Sequence, residues 1–136
     1  MKRKKVKAII SRSKTGFVIM MEGFDDAMSY GDTLEEAKRD FEKFPKEYIE
    51  VSKEAGKEIP PELNDGFLDF EYVYDLSGFF AYYNFISPTK IARHLGINTA
   101  LMRQYTVACT YVSFEKKKSI ENEIHKIGRE LLSVSF

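Results

Sequence analysis

Ser87-Pro88-Thr89-Lys90-Ile91-Ala92-Arg93-His94-Leu95-Gly96-Ile97-Asn98-Thr99-Ala100-Leu101-Met102-Arg103-Gln104-Tyr105 is the stretch on which the fold turns. Ile91, Leu95, Ile97, Met102 and Tyr105 fall where two short helices crossing at a steep angle must bury side chains. Ala92 is the small residue such a crossing needs. Gly96 permits the tight turn between the helices, and Asn98 or Thr99 can cap the second one by accepting from its free amides. These conditions are met in register, so the spacing predicts a helix-turn-helix; an ordinary helical pair is the alternative.

The surrounding charge suits that pattern. The 136 residues carry 21 Lys+Arg and 21 Asp+Glu, but the balance is uneven. Residues 1–75 hold 13 basic and 17 acidic side chains, and residues 76–136 hold 8 and 4. Between Leu76 and Val112 there are three basic residues (Lys90, Arg93, Arg103) and no acid, the local field a polyanion favours. From Thr15 to Asp75 the count is 6 basic against 17 acidic, which repels nucleic acid and suits a basic partner.

If the second helix enters the major groove, the residues near its start face base edges. Those are Asn98, Thr99, Ala100, Arg103 and Gln104. Arg pairs with guanine, Gln with adenine, and a Thr or Ala methyl meets the thymine methyl. The alternative for each is a solvated surface residue, a reading that weighs more for Thr99 than for Arg103 and Gln104. Lys90, Lys116, Lys117 and Lys118 read as phosphate contacts or as solvated charge. A single short recognition helix reads few bases, so double-stranded DNA would be bound by a homodimer or higher homo-oligomer with paired half-sites.

Working back toward the N-terminus, Val6, Ala8 and Ile10 alternate, and Phe17 to Met21 is apolar after a Gly16 turn, the pattern of a β-hairpin. A third short strand is expected near Ala27 to Tyr30. Thr33-Leu34-Glu35-Glu36 is a capping box: the Thr33 hydroxyl can accept from the Glu36 amide, and the Glu36 carboxylate can reach back to the Thr33 amide. Leu34, Ala37, Phe41, Phe44, Tyr48, Val51 and Ala55 then recur at helical spacing. Pro45 interrupts that stripe, which predicts a kink or break near Phe44 with the apolar face continuing through it. Gly56 and Pro60-Pro61 end the helix, Asn64-Asp65-Gly66 is a turn, and Phe67 to Tyr74 alternates as a final strand.

After Asp75 the texture becomes helical. Leu76–Tyr83, Thr89–Leu95 and Thr99–Thr106 are short segments, and Phe114, Ile120, Ile124, Ile127 and Leu131 give a terminal helix its buried stripe. The expected architecture is α+β. Residues 1–75 form a small antiparallel sheet with one long, interrupted helix on one side, and residues 76–136 form an all-helical DNA-binding domain.

Other chemistry is thinly represented. No stretch nears the roughly 20 apolar residues of a membrane span, nor does a signal-peptide core follow Lys2 to Lys5, so the expected compartment is the cytoplasm. Cys109 is the single cysteine, which excludes an intrachain disulfide and reads as a small buried hydrophobe. Asp25, Asp26 and Asp32 could be imagined as metal-binding carboxylates of a nuclease. They cluster in one loop at a helix start, however, where Asp32 is more simply a charge favoured by the helix dipole. His94 and His125 have no acid or thiol partner placed by motif. Neither a nucleophile motif nor a phosphate-cradling loop is present. The expectation is a protein that is not an enzyme and needs no cofactor or metal.

Gly31-Asp32-Thr33-Leu34-Glu35-Glu36-Ala37, followed by a charged helix ending at Gly56-Lys57-Glu58-Ile59-Pro60, resembles the N-terminal domain of HicB-type antitoxins. The helix-turn-helix and the Ser113 to Phe136 helix are similar to the repressor-like C-terminal domain of some members. Where members usually carry a Pro- and Gly-containing segment, this chain reads Glu22-Gly23-Phe24-Asp25-Asp26-Ala27-Met28. The resemblance implies a partly degraded RNase H-like fold that binds and occludes a small basic ribonuclease toxin, while the C-terminal part represses the operon. The alternative is a stand-alone helix-turn-helix regulator whose N-terminal part senses a ligand or oligomerises.

Overall fold

A computed structural model of the chain describes residues 5–59 and 69–136, apart from the side chains of Asp25 and Asp26. Lys2 to Lys4, the Pro60-Pro61 stop, the Asn64-Asp65-Gly66 turn, the first two residues of the expected last strand and any metal role for Asp25 and Asp26 lie outside what is described. The chain is α+β. Its elements are β1 (Lys5–Arg12), β2 (Phe17–Met21), β3 (Phe24–Gly31), α1 (Leu34–Phe41), α2 (Phe44–Glu54), β4 (Asp69–Tyr74), α3 (Leu76–Tyr82), α4 (Pro88–Leu95), α5 (Thr99–Tyr105) and α6 (Phe114–Leu132).

The hairpin forms where alternation and Gly16 predict it. β1 and β2 pair antiparallel with Ile10 opposite Ile19, and the turn is closed by the Ser13 amide donating to the Gly16 carbonyl at 2.9 Å. β3 is longer than its sequence signal and pairs antiparallel with β2. The sheet order is β3-β2-β1-β4. β4 runs parallel to β1, with Ile10 opposite Tyr74, so the sheet is mixed and the antiparallel expectation is corrected. The physical reason is the connection: α1 and α2 carry the chain from one edge of the sheet to the other, and a crossover of that kind returns the strand in the same direction.

At the start of α1 the Thr33 hydroxyl accepts from the Glu36 amide at 3.2 Å, as the capping box requires. The return bond differs by one residue: the Glu36 carboxylate accepts from the Asp32 amide, also at 3.2 Å. Leu34, Ala37 and Phe41 enter a core with Ala8, Ile10, Ile19, Met21 and Ala27. The helix breaks at Glu42-Lys43. Pro45 then sits in the first turn of α2, where its missing N–H costs nothing.

That break re-aims the following face. Phe44 still packs on the sheet core, but Val51 is 64% exposed, Ala55 is exposed, and the buried residues of α2 are Pro45 and Ser52. The apolar stripe therefore does not continue through the break as its periodicity suggested, because a new helix axis starts there. α2 ends as expected on Gly56, whose φ of +67° is the left-handed region, with the Lys57 amide donating to the Ser52 carbonyl at 2.9 Å.

A second core joins Phe80, Ile91, Ala92, Ile97, Met102 and Ile120, flanked by Leu95, Tyr105, Ile124 and Ile127. Two expectations fail here. Phe114 and Leu131, assigned to the buried stripe of α6, are 78% and 59% exposed, since that helix packs on its neighbours only through its middle. Cys109 is exposed with φ +63°; it turns the α5–α6 loop instead of filling a core.

The two cores meet at Asp75. Its carboxylate accepts from the Ser11 hydroxyl at 2.6 Å, the Ser77 hydroxyl at 2.6 Å and the Gly78 amide at 2.8 Å, so it caps α3 and ties it to β1. Gly78 lets the helix sit directly on the strand, since a Cβ there would lie 2.2 Å from the Ile10 carbonyl oxygen.

Candidate nucleic-acid interface

Local sequence sets the α4–α5 geometry. The Ser87 hydroxyl caps α4 by accepting from the Lys90 amide at 3.3 Å, and Pro88 supplies a preset φ at the first position. α4 stops because Gly96 adopts φ +68°, a conformation costly for any residue bearing a Cβ. The Ile97 amide folds back to the Ala92 carbonyl at 2.8 Å, which drives Ile97 into the core. The Asn98 carboxamide oxygen then accepts from the Ala100 amide at 2.9 Å and the Leu101 amide at 3.2 Å, restarting the chain as α5.

Packing fixes which face of α5 is left outward. Met102 is fully buried against Ile91 and Ala92, and Tyr105 packs beside them. Ala100, Leu101, Arg103 and Gln104 are consequently exposed. Thr99 is half-buried at the start of the helix, and Asn98 is exposed with its carboxamide oxygen engaged by the cap. Leu101, exposed on the same helix, is an addition that the sequence reading did not include. Only the 100° step per residue from buried Met102 identifies it as outward.

The basic residues divide. Lys90 and Arg93 are exposed on α4, within the Leu76 to Val112 stretch that contains no acid. Lys116 is half-buried in the first turn of α6, where its amide donates to the Ser113 hydroxyl cap at 3.3 Å. Lys117 lines a groove on the sheet side together with Asp75 and Glu22, and Lys118 pairs with Glu121 at 3.1 Å. The exposed basic side chains of α4 and α5 thus lie in an acid-free stretch of sequence, while Lys117 and Lys118 of α6 have carboxylates nearby.

α6 braces this unit. His94 Nδ1 lies 3.0 Å from Glu123 Oε1, an acid partner from 29 residues away that no local motif could supply. The imidazole is mostly exposed, so the pair is worth little in stability, but it holds the end of α4 against α6. Among the described residues, no group of three or more His, Cys, Asp or Glu is placed to hold a metal ion, and no helix is long and apolar enough to cross a membrane.

A second polar–aromatic cluster lies where α3 meets the sheet. Tyr82 donates to the Glu35 carboxylate at 3.2 Å, a bond that raises the Tyr82 pKa. Tyr74 stacks on Tyr82 with ring centroids 6.4 Å apart. Burial, followed by the neighbouring Tyr83, pushes the Tyr74 phenol up to about 12. Tyr72 is raised further, by burial first and then by its hydrogen bond to Glu42. These phenols cement helices to strands and stay neutral at physiological pH.

No family model, curated protein or solved structure matches this chain.

Proposed function

We propose that the protein is a DNA-binding transcriptional regulator of the antitoxin type, with α4 and α5 forming a helix-turn-helix and α5 reading the major groove. The observation that carries this reading is the outward pair Arg103 and Gln104 on a helix whose opposite side is locked by fully buried Met102. A helix so anchored presents its polar face at fixed orientation, which direct readout requires. Arg103 is assigned to guanine, Gln104 to adenine, and Ala100 with Leu101 to apolar contact with thymine methyls. Lys90 and Arg93 on α4 are assigned to phosphates.

Residues 1–75 are assigned to protein binding. Their surplus of acids between Thr15 and Asp75, 17 against 6 basic residues, favours a basic partner, and the HicB-like features at Gly31 to Ala37 support a small ribonuclease toxin as that partner.

The decisive experiment selects a preferred duplex from a random pool and titrates wild type, Arg103→Ala and Gln104→Ala against it at fixed salt. Each variant should lose about 1–3 kcal/mol of specific binding and relax preference at one base position. Failure of the wild type to enrich any sequence, or unchanged affinity in both variants, overturns the reading. Co-purification of a small basic protein on residues 1–75 tests the partner separately.

A further inference from the structure

α6 carries two large exposed apolar side chains at its ends, Phe114 at 78% and Leu132 at 89% exposure. They are 18 positions apart, which is about five turns and ~27 Å, so both lie on one stripe of the helix. Along that stripe stand Lys118, Glu121, His125 and Gly128, all at helical spacing between them. The stripe is distinct from the face formed by Ile120, Ile124 and Ile127, which packs on the second core.

Gly128 is the unexplained member. It is the single glycine of α6, and a Cβ added there would meet nothing within 4 Å among the described residues. A helix-interior glycine weakens the helix relative to alanine, and no contact among the described residues requires one there.

We infer that α6 pairs antiparallel with α6 of a second copy across a two-fold axis at the level of Glu123. The pattern is self-complementary about that level. Phe114 meets the second copy's Leu132, Glu121 meets the second copy's His125, and Lys118 lies over the second copy's Gly128, whose missing side chain leaves room for the lysine stem. Each contact occurs twice, as an isologous interface demands. The polar match selects this occupant: Glu121, which Lys118 of its own helix holds at 3.1 Å, accepts from an imidazole N–H of the second copy at the centre while apolar residues close both ends.

A groove of about 350 Å³ widens the contact. Val73, Leu76, Phe79 and Ile124 line it, and Glu121 and His125 form its rim on the α6 side, so a helix laid along the stripe covers apolar surface of the sheet edge as well.

The pairing itself rests on α6 alone; its consequence, two α5 helices presented to successive half-sites, rests on the DNA-binding reading above. The test is sedimentation equilibrium of the full chain without DNA, between about 1 and 100 µM. Wild type should dimerise, and Gly128→Gln and Leu132→Glu should each weaken association at least about tenfold with an unchanged circular-dichroism melt or, for Gly128→Gln, a higher one. In a Cys109→Ser background, Phe114→Cys and Leu132→Cys chains should crosslink with each other when mixed and not with themselves. A wild type that stays monomeric at the highest concentration, an unaltered Gly128→Gln dimer, or crosslinking of either cysteine chain with itself overturns the inference. A dimer of the expected register that enriches no duplex sustains the pairing and removes the DNA-binding reading instead.

Discussion

Replacing Asp75 with alanine should be among the most damaging single changes in the protein. The carboxylate accepts from two hydroxyls at 2.6 Å and one amide at 2.8 Å, and both hydroxyls belong to buried residues, Ser11 and Ser77. Loss of the α3 cap alone costs about 1 kcal/mol. Stranding the Ser11 hydroxyl without an acceptor adds roughly 1–3 kcal/mol. Ser77 loses its acceptor too but still accepts from the Arg12 amide at 3.0 Å, so its share is nearer the low end, about 1 kcal/mol.

The expected total for Asp75→Ala is about 3–5 kcal/mol, or roughly 10–15 °C in melting temperature for a chain of this size. Asp75→Asn keeps one carbonyl acceptor and should cost about 1–2 kcal/mol. Urea denaturation followed by circular dichroism measures both. The sharper check is the double variant: Ser11→Ala removes the stranded hydroxyl, so Ser11→Ala with Asp75→Ala should be less destabilised than the sum of the singles by about 1 kcal/mol. An Asp75→Ala protein within about 1 kcal/mol of wild type, or strict additivity in the cycle, would refute the reasoning.

Other consequences are open to direct measurement. Gly78→Ala places a Cβ 2.2 Å from the backbone oxygen of Ile10 and should cost more than about 2 kcal/mol in the same assay, because backbone on both sides leaves nothing free to yield. Gly96→Ala meets no atom within 4 Å but must hold φ +68°, so its cost should stay near 1–2 kcal/mol, with Gly96→Asn milder. Alkaline titration followed by phenolate absorbance should show Tyr74 ionising near 12, above the ordinary phenol range. Since the folded state holds that proton more tightly than the unfolded one, its contribution to stability is complete below about pH 10 and is lost as pH rises through about 12. Tyr72 and Tyr82 are raised as well, so Tyr74→Phe should remove one phenol from the late titration; a variant that removes none would reassign it.

Most of the local architecture is legible in the residues themselves. Thr33 and Glu36 announce the start of α1, Pro45 forces the break before α2, and Gly56 ends it. Gly96 and Asn98 separate α4 from α5 where the sequence reading put the turn, and each helix differs from that reading by one residue at one end. These signals are reliable because a cap, a missing N–H and a left-handed turn are each settled within four or five residues. The same holds for the outward placement of Arg103 and Gln104, which follows from counting around α5 from Met102.

Less legible were features in which a helical period runs past a change of axis. Val51 and Ala55 share a stripe with Leu34 and Phe41 on paper, but the new axis after Pro45 turns them to solvent. Phe114 and Leu131 share the period of Ile120 and Ile124, yet α6 is longer than the core it covers.

By itself, then, the sequence determined where helices begin, stop and turn, and which half of the chain is basic, since those properties depend on neighbours along the backbone. Tertiary structure alone decided that β4 lies parallel to β1, that Asp75 joins Ser11 to Ser77, that Glu123 finds His94, and that Cys109 faces solvent. Each of those outcomes depends on segments up to 64 positions apart coming together, and no periodicity within one segment encodes the partner that another will supply.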